Sequence, residues 1–86
     1  MDDDIKHYIT ELLLEKGRIP VADVGSYNYV DSGHIDSLGL IKFLVKLEER
    51  FDIDLGMEAL LDRKARTVDG LAALIRAQRG QHDGQP

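Results

Sequence analysis

Near the middle of the chain a serine lies between an aspartate and a leucine, as Asp36-Ser37-Leu38. A serine hydroxyl in such a place can serve as a nucleophile or as a point of covalent attachment. His34, three residues upstream, invites the first role. A Ser-His pair works only if the imidazole reaches Oγ, is oriented by a third group and faces an oxyanion hole. No Gly-x-Ser-x-Gly elbow surrounds Ser37. His34 therefore reads as a loop residue beside the serine, and the chain does not read as an enzyme. The plainest alternative for Asp36-Ser37 is a helix start, because both residue types dominate N-caps. The acids Asp52, Asp54, Glu58 and Asp62 raise the question of a cation. Their spacing misplaces the glycine and the terminal glutamate of a calcium loop, so they read as a solvated surface and no metal is expected. The chain has no cysteine. Disulfides and thiolate ligands are excluded, and any thiol chemistry has to come from an added group.

The elements that position Ser37 follow from composition and periodicity. With 86 residues the chain forms one domain with a modest core. Its hydrophobic fraction of 43% and charged fraction of 31% suit a soluble globule. Aromatics are only 6%, and the aliphatic bias favours helices. A net charge of −5 opposes nucleic-acid binding. No apolar run approaches the length of a membrane span, and the Met-Asp-Asp-Asp start is unlike a signal peptide, so a cytoplasmic monomer is expected.

Asp2, Asp3 and Asp4 supply a cap and an acidic first turn for a helix over 3–16, with Ile5, Tyr8, Ile9 and Leu12 inward and Gly17 as its stop. Residues 17–36 form a long connection rich in turn formers, and Ile19, Val21, Val24, Tyr27, Tyr29 and Val30 are its candidate anchors. Asp36 caps the strongest helix, 37–51. At 100° per residue Leu40, Phe43, Leu44, Leu47 and Phe51 share one broad face. Leu38, Ile41 and Val45 fall on a neighbouring side, with Glu48 close by. That side packs under the loop or third helix, or it meets a partner. A short helix is expected over 57–61. A fourth is expected over 68–78, capped by Thr67 with Val68, Leu71, Leu74 and Ile75 inward. The single domain spans 1–79, and 80–86, which carries no apolar residue, is expected to be a disordered tail.

The run Gly33-His34-Ile35-Asp36-Ser37-Leu38 opens the amphipathic helix, and it is followed by Leu47-Glu48-Glu49, Phe51-Asp52-Ile53-Asp54-Leu55 and Thr67-Val68. In that order and spacing the chain resembles the acyl carrier and peptidyl carrier protein family over roughly residues 3–78. The resemblance implies an all-α bundle of three main helices plus a short third one, with a long first loop. It implies that Ser37 bears a covalent 4′-phosphopantetheine arm derived from coenzyme A, with Asp36 and Leu38 framing the site. It implies a stand-alone carrier holding acyl or aminoacyl cargo as a thioester, rather than an enzyme. Its partners would be a phosphopantetheinyl transferase and an acyl- or aminoacyl-loading ligase or synthase. Leu38, Ile41, Lys42, Val45, Lys46 and Glu48 would form the docking surface. Asp36 then has two candidate roles, capping the helix and helping a transferase bind magnesium and serine. Gly39 is either a tolerated helix glycine or a residue that leaves room near the arm.

Fatty-acid carriers of this family show an acidic second helix, whereas Lys42, Lys46 and Arg50 here alternate with Glu48 and Glu49. The pattern looks more like a dedicated carrier of a specialised pathway, peptide-synthetase-like or D-alanyl carriers included. The rival reading is a helical interaction module that is never modified.

Overall fold

The structure is a computed structural model; it describes the backbone of residues 2–83 and the side chains of residues 4–79. Among the described residues the chain forms α1 (Asp2–Lys16), α2 (Ser37–Phe51), α3 (Met57–Leu61) and α4 (Val68–Asp83), with single 3-10 turns at Val24–Ser26 and Arg63–Ala65. The all-α expectation holds. Extended pairing is confined, among the described residues, to one isolated antiparallel bridge between Asn28 and Thr67.

Each helix buries the face its periodicity marks. Ile5, Ile9, Leu12 and Leu13 of α1 are buried, as are Leu40, Phe43, Leu44 and Leu47 of α2. Val68, Leu71, Ala72 and Ile75 complete the core from α4, and Leu60 closes it from α3. Each buried Val, Leu, Ile or Phe among them contributes roughly 1.5–3 kcal/mol, which is how a domain without staples holds together. At the far end Tyr8 and Phe51 meet edge to face, with ring centroids 5.6 Å apart. Arg50 lies 5.5 Å from the Tyr8 ring and Arg79 5.5 Å from the Phe51 ring, tying α1, α2 and α4.

The helix ends have local causes. α1 stops at Lys16 because Gly17 takes φ +155°. The expected cap at Asp2 and Asp3 lies outside the described side chains. α2 ends with Asp52 in the left-handed region at φ 53°, a conformation that aspartate tolerates better than most residues. Thr67 Oγ1 accepts from the N–H of Gly70 at 3.1 Å and caps α4 as expected. α4 then continues past the expected end at 78 and runs to Asp83, so helix replaces irregular chain over 80–83. A lone glycine at 80 lowers helix stability by only about 1 kcal/mol, too little to end it. Residues 84–86 of the expected tail lie outside the described residues.

The long connection is held to the entrance of α4. Tyr29 is fully buried, and its hydroxyl donates to the carbonyl of Ala65. Burial pushes the Tyr29 phenol above its ordinary range. The Tyr29 N–H donates to Arg66 O at 3.1 Å, and the Val68 N–H to Tyr27 O at 3.3 Å. Asn28 Oδ1 accepts from the N–H groups of Val30 and Asp31, at 3.1 and 2.8 Å, and closes the turn. Ile19, Val24, Tyr27 and Val30 pack against the core. Val21 does not: it is 43% exposed. It precedes the 3-10 turn in a stretch whose chain lies on the surface, so an apolar type alone did not secure burial.

α4 passes close to the preceding 3-10 turn at Gly70. A β-carbon there would overlap the carbonyl oxygen of Lys64. Gly70→Ala is therefore expected to destabilise the fold by about 2 kcal/mol or more, although alanine is the better helix former by about 1 kcal/mol. Urea unfolding reads the difference, and a variant as stable as the parent would contradict this packing.

Candidate functional site

Asp36 sets the geometry of the site. It has extended backbone (φ −81°, ψ 178°), and its Oδ1 accepts from the N–H of Gly39 at 2.7 Å. Its carbonyl accepts the first helical bond, from Leu40 N–H at 2.9 Å. Ile35, just before it, is buried and pins the start of α2 to the core. Ser37 is thereby the first residue of α2, and it is exposed. Its Oγ makes no hydrogen bond among the described residues.

The first turn of a helix leaves backbone N–H groups without helical partners, and the aligned peptide dipoles favour negative charge there. Asp36 occupies the N–H of Gly39, so the outward end at Ser37 and Leu38 stays open. Gly39 is buried beneath it. A β-carbon on Gly39 would lie 2.8 Å from Ile35 Cγ2 and 3.0 Å from Asp36 Oδ1. Its small size serves the cap and the packing of Ile35.

The structure also decides which side of α2 faces water. Leu38, Ile41 and Val45 are 63%, 50% and 45% exposed, so they do not pack under the loop or under α3. Lys42 lies exposed beside them and makes no ion pair among the described residues. Lys46 pairs with Glu15 of α1 at 3.3 Å. Glu48 serves the fold, because its Oε2 accepts from the N–H groups of Leu55 and Gly56, at 2.9 and 3.2 Å. Those bonds hold the connection from α2 to α3. The exposed acids Asp52, Asp54, Glu58 and Asp62 do not assemble, and no cluster of three or more metal-ligating side chains exists among the described residues. Asp62 instead caps the 3-10 turn after α3, accepting from Lys64 N–H at 2.9 Å.

His34 is half-buried and does not reach toward Ser37. Its Nε2 lies 2.8 Å from the carbonyl of Leu13, and its Nδ1 lies 2.9 Å from the hydroxyl of Tyr27. Both ring nitrogens are occupied, so a Ser-His dyad is absent. Periodicity could not have found this role; the only signal was a histidine between two turn residues and a core isoleucine.

A family model described as "Phosphopantetheine attachment site" matches residues 7–75. The chain belongs to that family. Its prosthetic group is 4′-phosphopantetheine. Ser37 fits the group: the hydroxyl is exposed, unengaged and placed at a capped helix start that favours a phosphodiester. When bound, the group supplies the thiol that this cysteine-free chain lacks. The members of the family carry cargo and do not themselves catalyse. Among curated proteins, the D-alanyl carrier protein of Streptococcus sanguinis is 38% identical over 50 residues, covering 58% of this chain and 63% of the relative. Those of Streptococcus gordonii and Streptococcus thermophilus are each 36% identical over the same length. The chain thus spans less than two thirds of the length of these relatives.

This division of labour along α2 has a measurable form. Glu48→Ala is expected to cost about 1–3 kcal/mol, because it strands two backbone donors, whereas Lys42→Ala is expected to change stability by under about 0.5 kcal/mol. Equal losses in thermal or urea unfolding would contradict the assignment of Glu48 to the fold.

Proposed function

We propose that this phosphopantetheine-family chain is a carrier whose Ser37 takes the arm and whose cargo travels as a thioester at its end. The observation that carries the reading is an exposed serine, its hydroxyl unbonded among the described residues, at a capped helix start inside a family-matched fold. In arm transfer, Ser37 Oγ bonds to the pantetheine-side phosphorus of coenzyme A. The pyrophosphate bond breaks, the nucleotide leaves, and the hydroxyl proton passes to a base of the transferase. Asp36 holds the serine's backbone; helping the transferase place its metal is the second role proposed for it.

The charge of α2 and the names of the relatives support a reading of the cargo class. Lys42 and Lys46 flank the exposed stripe of Leu38, Ile41 and Val45. Such a stripe with a cationic rim fits a partner whose apolar patch is bordered by carboxylates. The relatives are named as carriers of D-alanine. Together these favour an aminoacyl-loading ligase over a general fatty-acid synthase. The carrier is proposed to act as a monomer in the cytosol, where coenzyme A is available to the transferase. Without modification, the same exposed stripe would make the chain a plain interaction module.

Incubation with coenzyme A and a promiscuous phosphopantetheinyl transferase is expected to add one arm and one titratable thiol, read by intact mass. Ser37→Ala is expected to fold as the parent does and to accept none. Arm addition to that variant, or a parent chain that every transferase leaves unmodified, would return the chain to the interaction-module reading.

Charge reversal tests the partner. Lys42→Glu with Lys46→Glu is expected to leave the melting curve nearly unchanged, because exposed charges contribute little to stability. It is expected to weaken loading by the cognate ligase, with the gap narrowing as salt rises. Loading that stays at the parental rate at every ionic strength would remove the basic rim from the recognition surface.

A further inference from the structure

The residue three positions before the attachment serine is the hub of a closed hydrogen-bond circuit. A carbonyl only accepts, so His34 Nε2 carries the proton and donates to Leu13 O at 2.8 Å. In the neutral ring Nδ1 is then the acceptor, and Tyr27 O–H donates to it at 2.9 Å. Ser32 Oγ donates in turn to the Tyr27 hydroxyl at 3.1 Å. The backbone N–H of His34 donates to Ser32 Oγ at 3.3 Å. The circuit leaves the backbone of His34 and returns to its own ring, each hydroxyl accepting one bond and donating the next. Tyr27 and His34 also meet edge to face, with ring centroids 5.4 Å apart.

The geometry points to His34 as the positioning residue for Ser37: its neutral ring clamps the end of the long connection to the last turn of α1 and thereby aims the serine for arm transfer. This rests on the carrier reading above. Between His34 and Ser37 stand only Ile35 and Asp36. Ile35 is buried, but apolar contact is non-directional and leaves rotation about the chain free. Asp36 fixes Ser37 to α2 itself and not to the rest of the domain. The two ring bonds are directional, and one of them spans to a helix 21 residues away in sequence. The Ser37 hydroxyl makes no hydrogen bond among the described residues that would correct an error in aim. Transfer onto a hydroxyl tolerates little misplacement, a shift of about 1 Å being enough to cost roughly a hundredfold in rate.

None of the circuit's hydrogen bonds involves Leu38, Ile41 or Val45 of the docking stripe, so loss of the clamp falls on kcat rather than KM. The test is arm transfer from coenzyme A by a promiscuous phosphopantetheinyl transferase, with carrier concentration varied and product read by intact mass. His34→Ala is expected to lower kcat roughly tenfold or more, with KM within about twofold. His34→Gln keeps an N–H donor for Leu13 and is expected to recover part of the loss. Tyr27→Phe, which leaves the Leu13 bond intact, is expected to lose less in the same parameter and serves where His34→Ala does not fold. Nitrogen NMR of the unmodified parent is expected to show His34 protonated at Nε2 and bare at Nδ1. Parental kcat in folded His34→Ala, or a loss confined to KM, would overturn the proposal. So would a proton on Nδ1 of the neutral ring, or a parental Tyr27→Phe beside an unfolded His34→Ala. A parent that accepts no arm while its ring shows the expected tautomer would overturn the carrier reading instead.

Discussion

Tyr29 brings a hydroxyl into a core built otherwise of aliphatic side chains and one phenylalanine, and a buried hydroxyl without a partner costs roughly 1–3 kcal/mol. The Ala65 carbonyl meets that demand, so the ring and the chain that carries it have one place to go. The choice organises much of what surrounds it. The main chain of residues 27–29 lies against residues 66–68 through two backbone bonds, and the ring packs on Phe43 of α2 with centroids 5.4 Å apart. A connection as long as residues 17–36 needs anchoring, and the chain has no cysteine for a disulfide. One amphipathic side chain acts as the staple.

With the loop fixed from the α4 side, its last residues can be aimed from the α1 side. His34 and Ile35 do that work by different physics. Ile35 supplies burial without direction, and His34 supplies direction through two ring nitrogens. Asp36 then converts a placed chain end into a placed helix end, since its carboxylate closes the first turn and leaves the outer N–H groups open. α2 uses its faces separately. One face fills the core, one edge spends Glu48 on the connection to α3, and one side keeps Leu38, Ile41 and Val45 in water.

The long helices were legible because their signal repeats. Leu40, Phe43, Leu44 and Leu47 announce one face several times over, so α2 from Ser37 to Phe51 and its cap could be read from spacing alone. The short helix at Met57–Leu61 was legible as an apolar segment between turn residues. The end of α4 was not, because Gly80, the first candidate stop after 78, lowers helix stability by only about 1 kcal/mol and the helix runs through it. The loop was legible only as a set of apolar anchors: Val21 and Tyr29 look equally apolar in a sequence, yet one is exposed and the other buried. What separates them is the Ala65 carbonyl, a partner 36 residues away. The same limit hid what Glu48 and His34 do. Each binds backbone groups, and backbone groups leave no mark in side-chain type.

The site itself combines a stiff frame with a reactive atom that the frame does not hold. Ser37 Oγ has no partner among the described residues, while every neighbour upstream is fixed by a cap, a buried side chain or a ring. That asymmetry suits a residue whose product is a long flexible arm. A hydroxyl engaged by the fold would have to give up its bond before reacting, raising the barrier by the worth of that bond. An arm anchored on a mobile loop would lose effective concentration at a partner's active site, because the anchor would wander as widely as the arm. Fixing the anchor while leaving the atom free resolves the conflict. The domain needs no pocket around Ser37 for this, only a helix start held at a constant place and orientation relative to the stripe on which a partner docks.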